Sequence, residues 1–332
     1  MKCLFIDGVK EVSLKERDVL EVGENDVLVK LEARGICGTD LNSYRSGYAM
    51  GFGHEMSGYV YKVGANSTFK EGTKVFVSNL SQNLVNYDQE NGYAYMGGFA
   101  DYILVKNAKE NVDLYPVDEN MTYSETALVE PFCVGMSGVK KYPFTKDSKV
   151  VILGAGIIGM CAFEYLKSQG VHHIVVADIN ENRLERAKNA GAYVLNTSNT
   201  NIKDYLTEVF SSGYSMSAGM VPDVDVYIDA AGVASLTNEV LGMIKMGGQI
   251  TILAAYHDLA PLNLTSVMYN SARIVGSCMF SHDDILEAID IIGNNKEIAK
   301  TLISHEISFE NAKEGFAIAD DASQSLKVML VG

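Results

Sequence analysis

The 332-residue chain is long enough for two domains, and 47% hydrophobic with 21% charged residues is the composition of a folded protein, not a disordered one. A net charge of −15 excludes a typical nucleic-acid binder or anionic-membrane binder, since both need clustered lysine and arginine. The five scattered cysteines, Cys3, Cys37, Cys133, Cys161 and Cys278, do not read as a disulfide framework. With no leader-like or membrane-length apolar run, a cytoplasmic location is expected.

In chain order, the first 130 residues or so carry short apolar runs broken by glycine, at 27–31, 58–63, 74–77 and 102–105. This spacing predicts an antiparallel, barrel-like unit. From about residue 149 the rhythm changes. Residues 149–153 form a continuous aliphatic run, as in a strand buried on both faces. A glycine-rich turn and a helical pattern to Lys167 follow, then strands at 173–178, 224–229 and 249–253 alternating with helices. That alternation predicts an α/β, doubly wound parallel sheet. Residues 211–218 read as a flexible loop; a helix is expected over 284–293 and a last strand over 325–331.

Gly154, Gly156 and Gly159 have the G-x-G-x-x-G spacing, with Ile157 and Ile158 between the second and third glycines. The spacing alone is a weak signal; its place after a strand and before a helix gives it meaning. The first glycine permits a tight turn, the second a close approach to a pyrophosphate, and the third close packing of helix on strand. Asp178 lies 22 residues after Gly156 at the end of the second strand. A carboxylate there accepts hydrogen bonds from an adenosine ribose and repels a 2′-phosphate, favouring NAD over NADP, although Arg183 nearby leaves room for NADP. Asp178 is also suited to starting the next helix. S-adenosylmethionine binders use similar units, so the distinction must come from elsewhere in the chain.

Cys37 begins Cys-Gly-Thr-Asp, and 17 residues on stands Gly53-His54-Glu55; Glu130-Pro131 opens a later apolar segment. A thiolate, an imidazole and a carboxylate are a donor set suited to zinc with one open position. Singly, Cys37 also fits a core, His54 a turn, Glu55 a surface and Glu130 a helix start. A metalloprotease is excluded because the position four residues after His54 is Gly58.

Together with Gly97-Gly98-Phe99-Ala100-Asp101-Tyr102 and the glycine turn, these segments resemble the zinc-containing medium-chain dehydrogenases over essentially the whole chain. Glu55 with Glu130-Pro131 resembles the sorbitol, threonine and galactitol-1-phosphate dehydrogenase branch. The resemblance implies a Rossmann domain at 133–276 and a GroES-like β-barrel catalytic domain at 1–132 and 277–332. It implies zinc ligation by Cys37, His54 and a carboxylate from Glu55 or Glu130. It also implies that Asp40 orients His54 through the far ring nitrogen, that Thr39 passes on the substrate proton, and that Ala231 and Gly232 join the glycine turn in holding the cofactor. The expected activity is hydride transfer between NAD and a secondary alcohol, a polyol, sugar alcohol or phosphate of one, giving the ketone. A homodimer or homotetramer is expected, with the small alcohol or ketone as partner.

The sequence also departs from relatives. The family often holds a structural zinc with four close cysteines; residues 77–97 contain none, so a single catalytic zinc is expected. The link from Cys37 to His54 is short, and Asn42 stands where many relatives have a proton-relaying histidine. Tyr44, Tyr48 and Phe52 suit either a pocket rim or a core, and Arg45 and Lys62 either a substrate phosphate or plain solvent. A threonine or short-diol dehydrogenase is the alternative within the family. A non-catalytic NAD-binding protein and a zinc-free, NADPH-linked enone reductase are the alternatives outside it, and the retained ligand set argues against both. The zinc is required energetically: it brings the pKa of a bound water down to about 7, and similar help for a bound alcohol is worth roughly 12 kcal/mol, more than a nearby side chain supplies.

Overall fold

Continuous β-branched runs and strictly alternating ones call for different surroundings, and this chain separates them. A computed structural model describes residues 1–88, 94–256 and 258–332. Two compact units divide it: Met1–Glu130 with Ser281–Gly332, and Pro131–Phe280.

In the first unit the alternation at Val27, Val29 and Leu31 turns one strand face inward, where it meets Met56, Val60, Val75, Val77, Ile103 and Val105. The sheet runs Ile303–Ser308, Lys327–Val331, Val27–Gly35, Glu55–Val63, Lys74–Val77, Leu114–Pro116, and Tyr102–Val105 also pairs with Val27–Gly35. Val27–Gly35 is therefore central, and its last residue, Gly35, is opposite Glu55 on one side and Met329 on the other. The strand expected over 27–31 is longer than the apolar run because this double pairing continues it to Gly35. A second cluster, with Phe5, Phe52, Tyr87, Tyr95, Phe99 and Phe316, packs rings at centroid spacings of 4.6–5.6 Å. Tyr87 and Tyr95 belong to the 77–97 segment; its residues 89–93 lie outside the described residues.

The second unit is a six-stranded parallel sheet in the order Tyr193–Asn196, His173–Asp178, Lys149–Leu153, Val226–Asp229, Gln249–Ile252, Arg273–Gly276. Chain order reverses between Lys149–Leu153 and Val226–Asp229, which makes the carboxyl ends of these two strands the switch point of the doubly wound sheet. Helices Ile157–Ser168 and Glu181–Asn189 follow the first two strands. The second begins at its Asn180 cap, whose side chain accepts from the Arg183 N–H at 3.1 Å.

One expectation is overturned. The segment 211–218 is not a flexible loop: Ser212–Ser215 pairs antiparallel with Gly219–Pro222 in a hairpin. Its polar, serine-rich composition hid the cause, which is distant in sequence. The buried Asn270 accepts from Met216 N–H at 2.7 Å and the Ser215 hydroxyl at 3.0 Å, and donates to Ser217 Oγ at 2.9 Å. Among the described residues no helix is long and apolar enough to cross a membrane.

Candidate metal centre and nucleotide site

Cys37 caps the helix Gly38–Ser46 directly after the central strand, so its sulfur stands at the positive end of that helix. His54 and Glu55 lie where the neighbouring strand begins, and the Gly35–Glu55 register brings the two segments together. The sulfur of Cys37, a ring nitrogen of His54 and a carboxylate oxygen of Glu55 all lie within 4.8 Å of one another. A soft sulfur, an imidazole nitrogen and an oxygen, held close and largely out of water, fit zinc. Among the described residues this is the one group of three or more His, Cys, Asp and Glu side chains with that spacing.

Glycines make the closeness possible. A Cβ on Gly35 would stand 1.8 Å from Glu55 Oε2, so any side chain there would evict the carboxylate. Gly53 adopts φ +79, and a Cβ on it would stand 2.8 Å from the Phe99 backbone nitrogen, while Gly98 N–H donates to Gly53 O at 3.0 Å. The Gly53-His54-Glu55 and Gly97-Gly98-Phe99 motifs are thus two halves of one contact.

Asp40 takes a different grip from the one expected. Its Oδ1 is 3.8 Å from His54 Nδ1, too far for a hydrogen bond. It accepts instead from the Gly53 N–H at 2.9 Å and the Cys37 N–H at 2.8 Å, fixing the backbones of both ligand segments. The His54 ring is oriented by donation from Nδ1 to Gly51 O at 2.9 Å, which leaves Nε2 to bind a metal once its proton is displaced. Thr39 is exposed at the start of the helix, and so is Asn42.

Sequence reasoning missed Lys327. Its ammonium lies 2.6 and 2.8 Å from the two Glu55 oxygens and 3.0 Å from Ile36 O, with both side chains fully buried. Burial opposes its charge, but Glu55 outweighs that and raises its pKa. Nothing near residue 327 marks it as part of a site: it reads as one residue of the terminal strand expected over 325–331. Sequence reasoning also missed Asn79, which donates to Glu130 Oε1 at 2.9 Å while its own buried Oδ1 has no partner.

Glu130 stands outside the close triad, and burial pushes its pKa up to about 7. For His54 burial works against the charged form, yet the neighbouring Asp40, Cys37 and Glu130 outweigh it and hold its pKa well above the ordinary imidazole value. Both groups therefore hold protons in the folded, metal-free protein that the unfolded chain would already have released. Its stability should fall as pH rises from the ordinary carboxylate value of 4.5 through about 7, where Glu130 deprotonates, and beyond 6.5 as His54 follows. Zinc must displace the His54 proton, so its affinity should rise with pH. Calorimetric zinc titrations at pH 6 and pH 8, in two buffers of different protonation enthalpy, measure both the affinity and the protons released. A pH-independent affinity contradicts this assignment.

The second unit carries the nucleotide features. Gly154 has φ +103, and a Cβ on Gly159 would stand 1.9 Å from Gly154 O, so the first glycine serves the turn and the third the packing. Beside Gly156 the nearest atom to such a Cβ is Arg183 Nη1 at 3.7 Å. Arg183 Nε is buried without a partner, as suits a cation facing an absent anion. Asp178 accepts from Ala155 N–H at 2.7 Å, Ile179 N–H at 2.7 Å and Asn180 N–H at 2.9 Å, so it serves its own turn and the glycine turn together. It lines a cleft of about 310 Å³ with Gly154, Ile179, Thr197, Ala231 and Val233.

The proposed rim residues divide. Tyr44 and Phe52 are buried in ring contacts with Phe316, whereas Tyr48 is 73% exposed. Arg45 is held by Asp320 at 2.6 Å. Cys133 is fully buried in the core.

The two units define a zinc- and nucleotide-dependent dehydrogenase as the class. The description "Alcohol dehydrogenase GroES-like domain" matches residues 23–117 and "Zinc-binding dehydrogenase" matches residues 158–294, together more than two thirds of the chain. Sorbitol dehydrogenase of Mus musculus is 27% identical over 98% of this chain and 94% of its own. The crystal structure of 2R,3R-butanediol dehydrogenase from Bacillus subtilis superposes with a TM-score of 0.84 at 21% identity, covering 100% of this chain and 99% of its own. Galactitol-1-phosphate dehydrogenase from Escherichia coli superposes at 0.82 and 23%, covering 100% of each. The chain belongs to the zinc-containing medium-chain alcohol dehydrogenase family. It is therefore an oxidoreductase acting on CH–OH groups, with zinc and a nicotinamide nucleotide as its cofactors.

Proposed function

We propose that this enzyme oxidises a secondary alcohol of the polyol or sugar-alcohol class to the ketone, with NAD as hydride acceptor. The observation that carries the reading is the convergence of Cys37, His54 and Glu55 within 4.8 Å. The substrate class rests on the sorbitol and galactitol-1-phosphate dehydrogenases among its relatives. A short diol is the second reading, favoured by the likeness to the butanediol enzyme.

Cys37, His54 and one of Glu55 or Glu130 would hold a single zinc, which when bound supplies a Lewis acid that acidifies an alcohol hydroxyl. Thr39, exposed beside Cys37, takes the hydroxyl proton and passes it to water, since the Asn42 amide cannot accept it. Asp40 fixes the ligand backbones, and Lys327 keeps Glu55 charged and in place. A bound nicotinamide nucleotide would supply the acceptor for the carbinol hydride. The turn from Gly154 to Gly159, including Ile157 and Ile158, would receive the pyrophosphate with Arg183, and Ala231 and Gly232 would bound the cofactor on the next turn.

Activity of zinc-loaded and metal-stripped protein on a panel of polyols, their phosphates and short diols, with NAD and NADP, tests the reading. Near-normal turnover without metal overturns it. Asp178→Ser should raise the KM for NAD about tenfold while lowering that for NADP, because the carboxylate that accepts from the ribose hydroxyls is also the one that repels a 2′-phosphate. An unchanged KM ratio removes Asp178 from this role.

An oligomer fits the edge strand Arg273–Gly276, which has no strand partner on one side among the described residues, and the helix before it in the chain exposes Leu264, Met268 and Tyr269. Light scattering reads the state directly. Five free thiols accord with a reducing cytoplasm.

A further inference from the structure

Asp229 ends its strand at the switch point of the sheet and is 1% exposed. Its carboxylate is fully engaged. Oδ1 accepts from the Ala231 and Gly232 N–H groups, each at 3.0 Å; Oδ2 accepts from the Tyr256 hydroxyl, and the Thr237 hydroxyl stands 3.4 Å from Oδ2 and 3.2 Å from Val233 O. The Tyr256 and Thr237 hydroxyls also touch each other. All of these groups are neutral. A buried carboxylate met only by neutral donors is a costly way to close a turn, which an asparagine would close at lower desolvation cost.

The cluster joins three pieces of backbone. The first is the turn Ala231–Gly232. The second is the opening of helix Ala234–Gly242, through Thr237. The third is the segment after strand Gln249–Ile252, through Tyr256. The first and third are in contact: Gly232 has φ +69, and a Cβ on it would stand 2.8 Å from Ala255 O.

Sheet order gives the block its meaning. Asp178, the adenosine side, belongs to the strand on one flank of Lys149–Leu153; Val226–Asp229 and then Gln249–Ile252 lie on the other. A dinucleotide crossing the switch point with its adenosine ribose at Asp178 brings its other half over the ends of those two strands. Ala231 and Val233 line the adenosine-side cleft, so the turn is the wall between the halves, and the Ala255–Tyr256 segment lies beyond it.

We propose that Asp229 positions the nicotinamide half of the cofactor, acting through the turn at Ala231–Gly232 and through Tyr256, which locks the following segment in place. This rests on the nicotinamide-nucleotide reading given above. Burial and the Asp229 carboxylate push the Tyr256 phenol up to about 12, so it remains a donor throughout the working range.

Tyr256→Phe separates positioning from folding, because it removes one hydroxyl and leaves Asp229 its two turn N–H donors. Dissociation constants for NADH, from the nicotinamide fluorescence, and for ADP, from calorimetry, are compared with kcat and with the melting temperature of the zinc-loaded enzyme. Tyr256→Phe should weaken NADH about tenfold, leave ADP within twofold and lower kcat at saturating cofactor. Asp229→Asn, which keeps the shape, should do the same more strongly. Equal weakening of NADH and ADP, or no change in either, overturns the proposal and leaves a structural role. Wild-type protein that binds ADP and fails to bind NADH overturns the cofactor reading itself.

Discussion

Cys37→Ala and His54→Ala should each lower kcat/KM by about three to four orders of magnitude, while NADH binds as in the wild type. The expected size follows from the metal's task. A bound zinc contributes several kcal/mol to charge stabilisation in the transition state, and each 1.36 kcal/mol is a factor of ten in rate. Losing one donor of three would leave one carboxylate, either Glu130 or a Glu55 already claimed by Lys327, and a single further ligand to hold the ion. The cofactor features lie among other residues, Gly154 to Arg183, so their dinucleotide affinity has no cause to change. Elemental analysis for zinc, steady-state kinetics and a fluorescence titration with NADH check the three parts. A His54→Ala protein that keeps both its zinc and its rate contradicts the assignment.

Lys327→Met should destabilise the metal-free protein by about 3–5 kcal/mol, the usual consequence of leaving one charge of a buried pair without its partner. The ammonium is the cation in contact with Glu55 in a pair that is fully buried on both sides. Zinc should recover part of the loss, since the carboxylate regains a cation. Adding Glu55→Gln to Lys327→Met should recover part of it as well, because the buried charge is then gone. Denaturant unfolding of the single and double variants, with and without zinc, gives the coupling directly. A Lys327→Met protein as stable as wild type in the absence of metal would show that Glu55 is solvated or held by other groups.

The two predictions also mark what could be read from sequence. The glycine fingerprint was legible because each glycine answers a local steric demand: Gly159 has its Cβ space filled by Gly154 O, only five residues away. Cys37 and His54 were legible as a pair because chemistry restricts the residues that bind zinc. Lys327 was not, since it enters the site by pairing of a strand almost 300 positions from the first ligand, and a lysine at a strand start has no distinguishing local pattern. The grip of Asp40 was misjudged for a similar reason. Its position beside the ligands was expected, but whether a carboxylate meets an imidazole or two backbone amides depends on the path of the short loop that delivers Gly53. The 211–218 hairpin was missed because its order comes from Asn270, outside the segment.

The pairing of Glu55 with Lys327 has a consequence for biosynthesis. The two residues are separated by 272 positions, so at ribosomal speeds of about 5–20 residues per second the carboxylate emerges roughly 14 to 54 seconds before its ammonium. Throughout that interval Cys37, His54 and Glu55 hang from a nascent sheet whose Lys327–Val331 strand has not been translated. The strand that bears Lys327 is made long after the strands it joins, so the buried pair beside the metal ligands forms late in synthesis and the ligand segments wait for it.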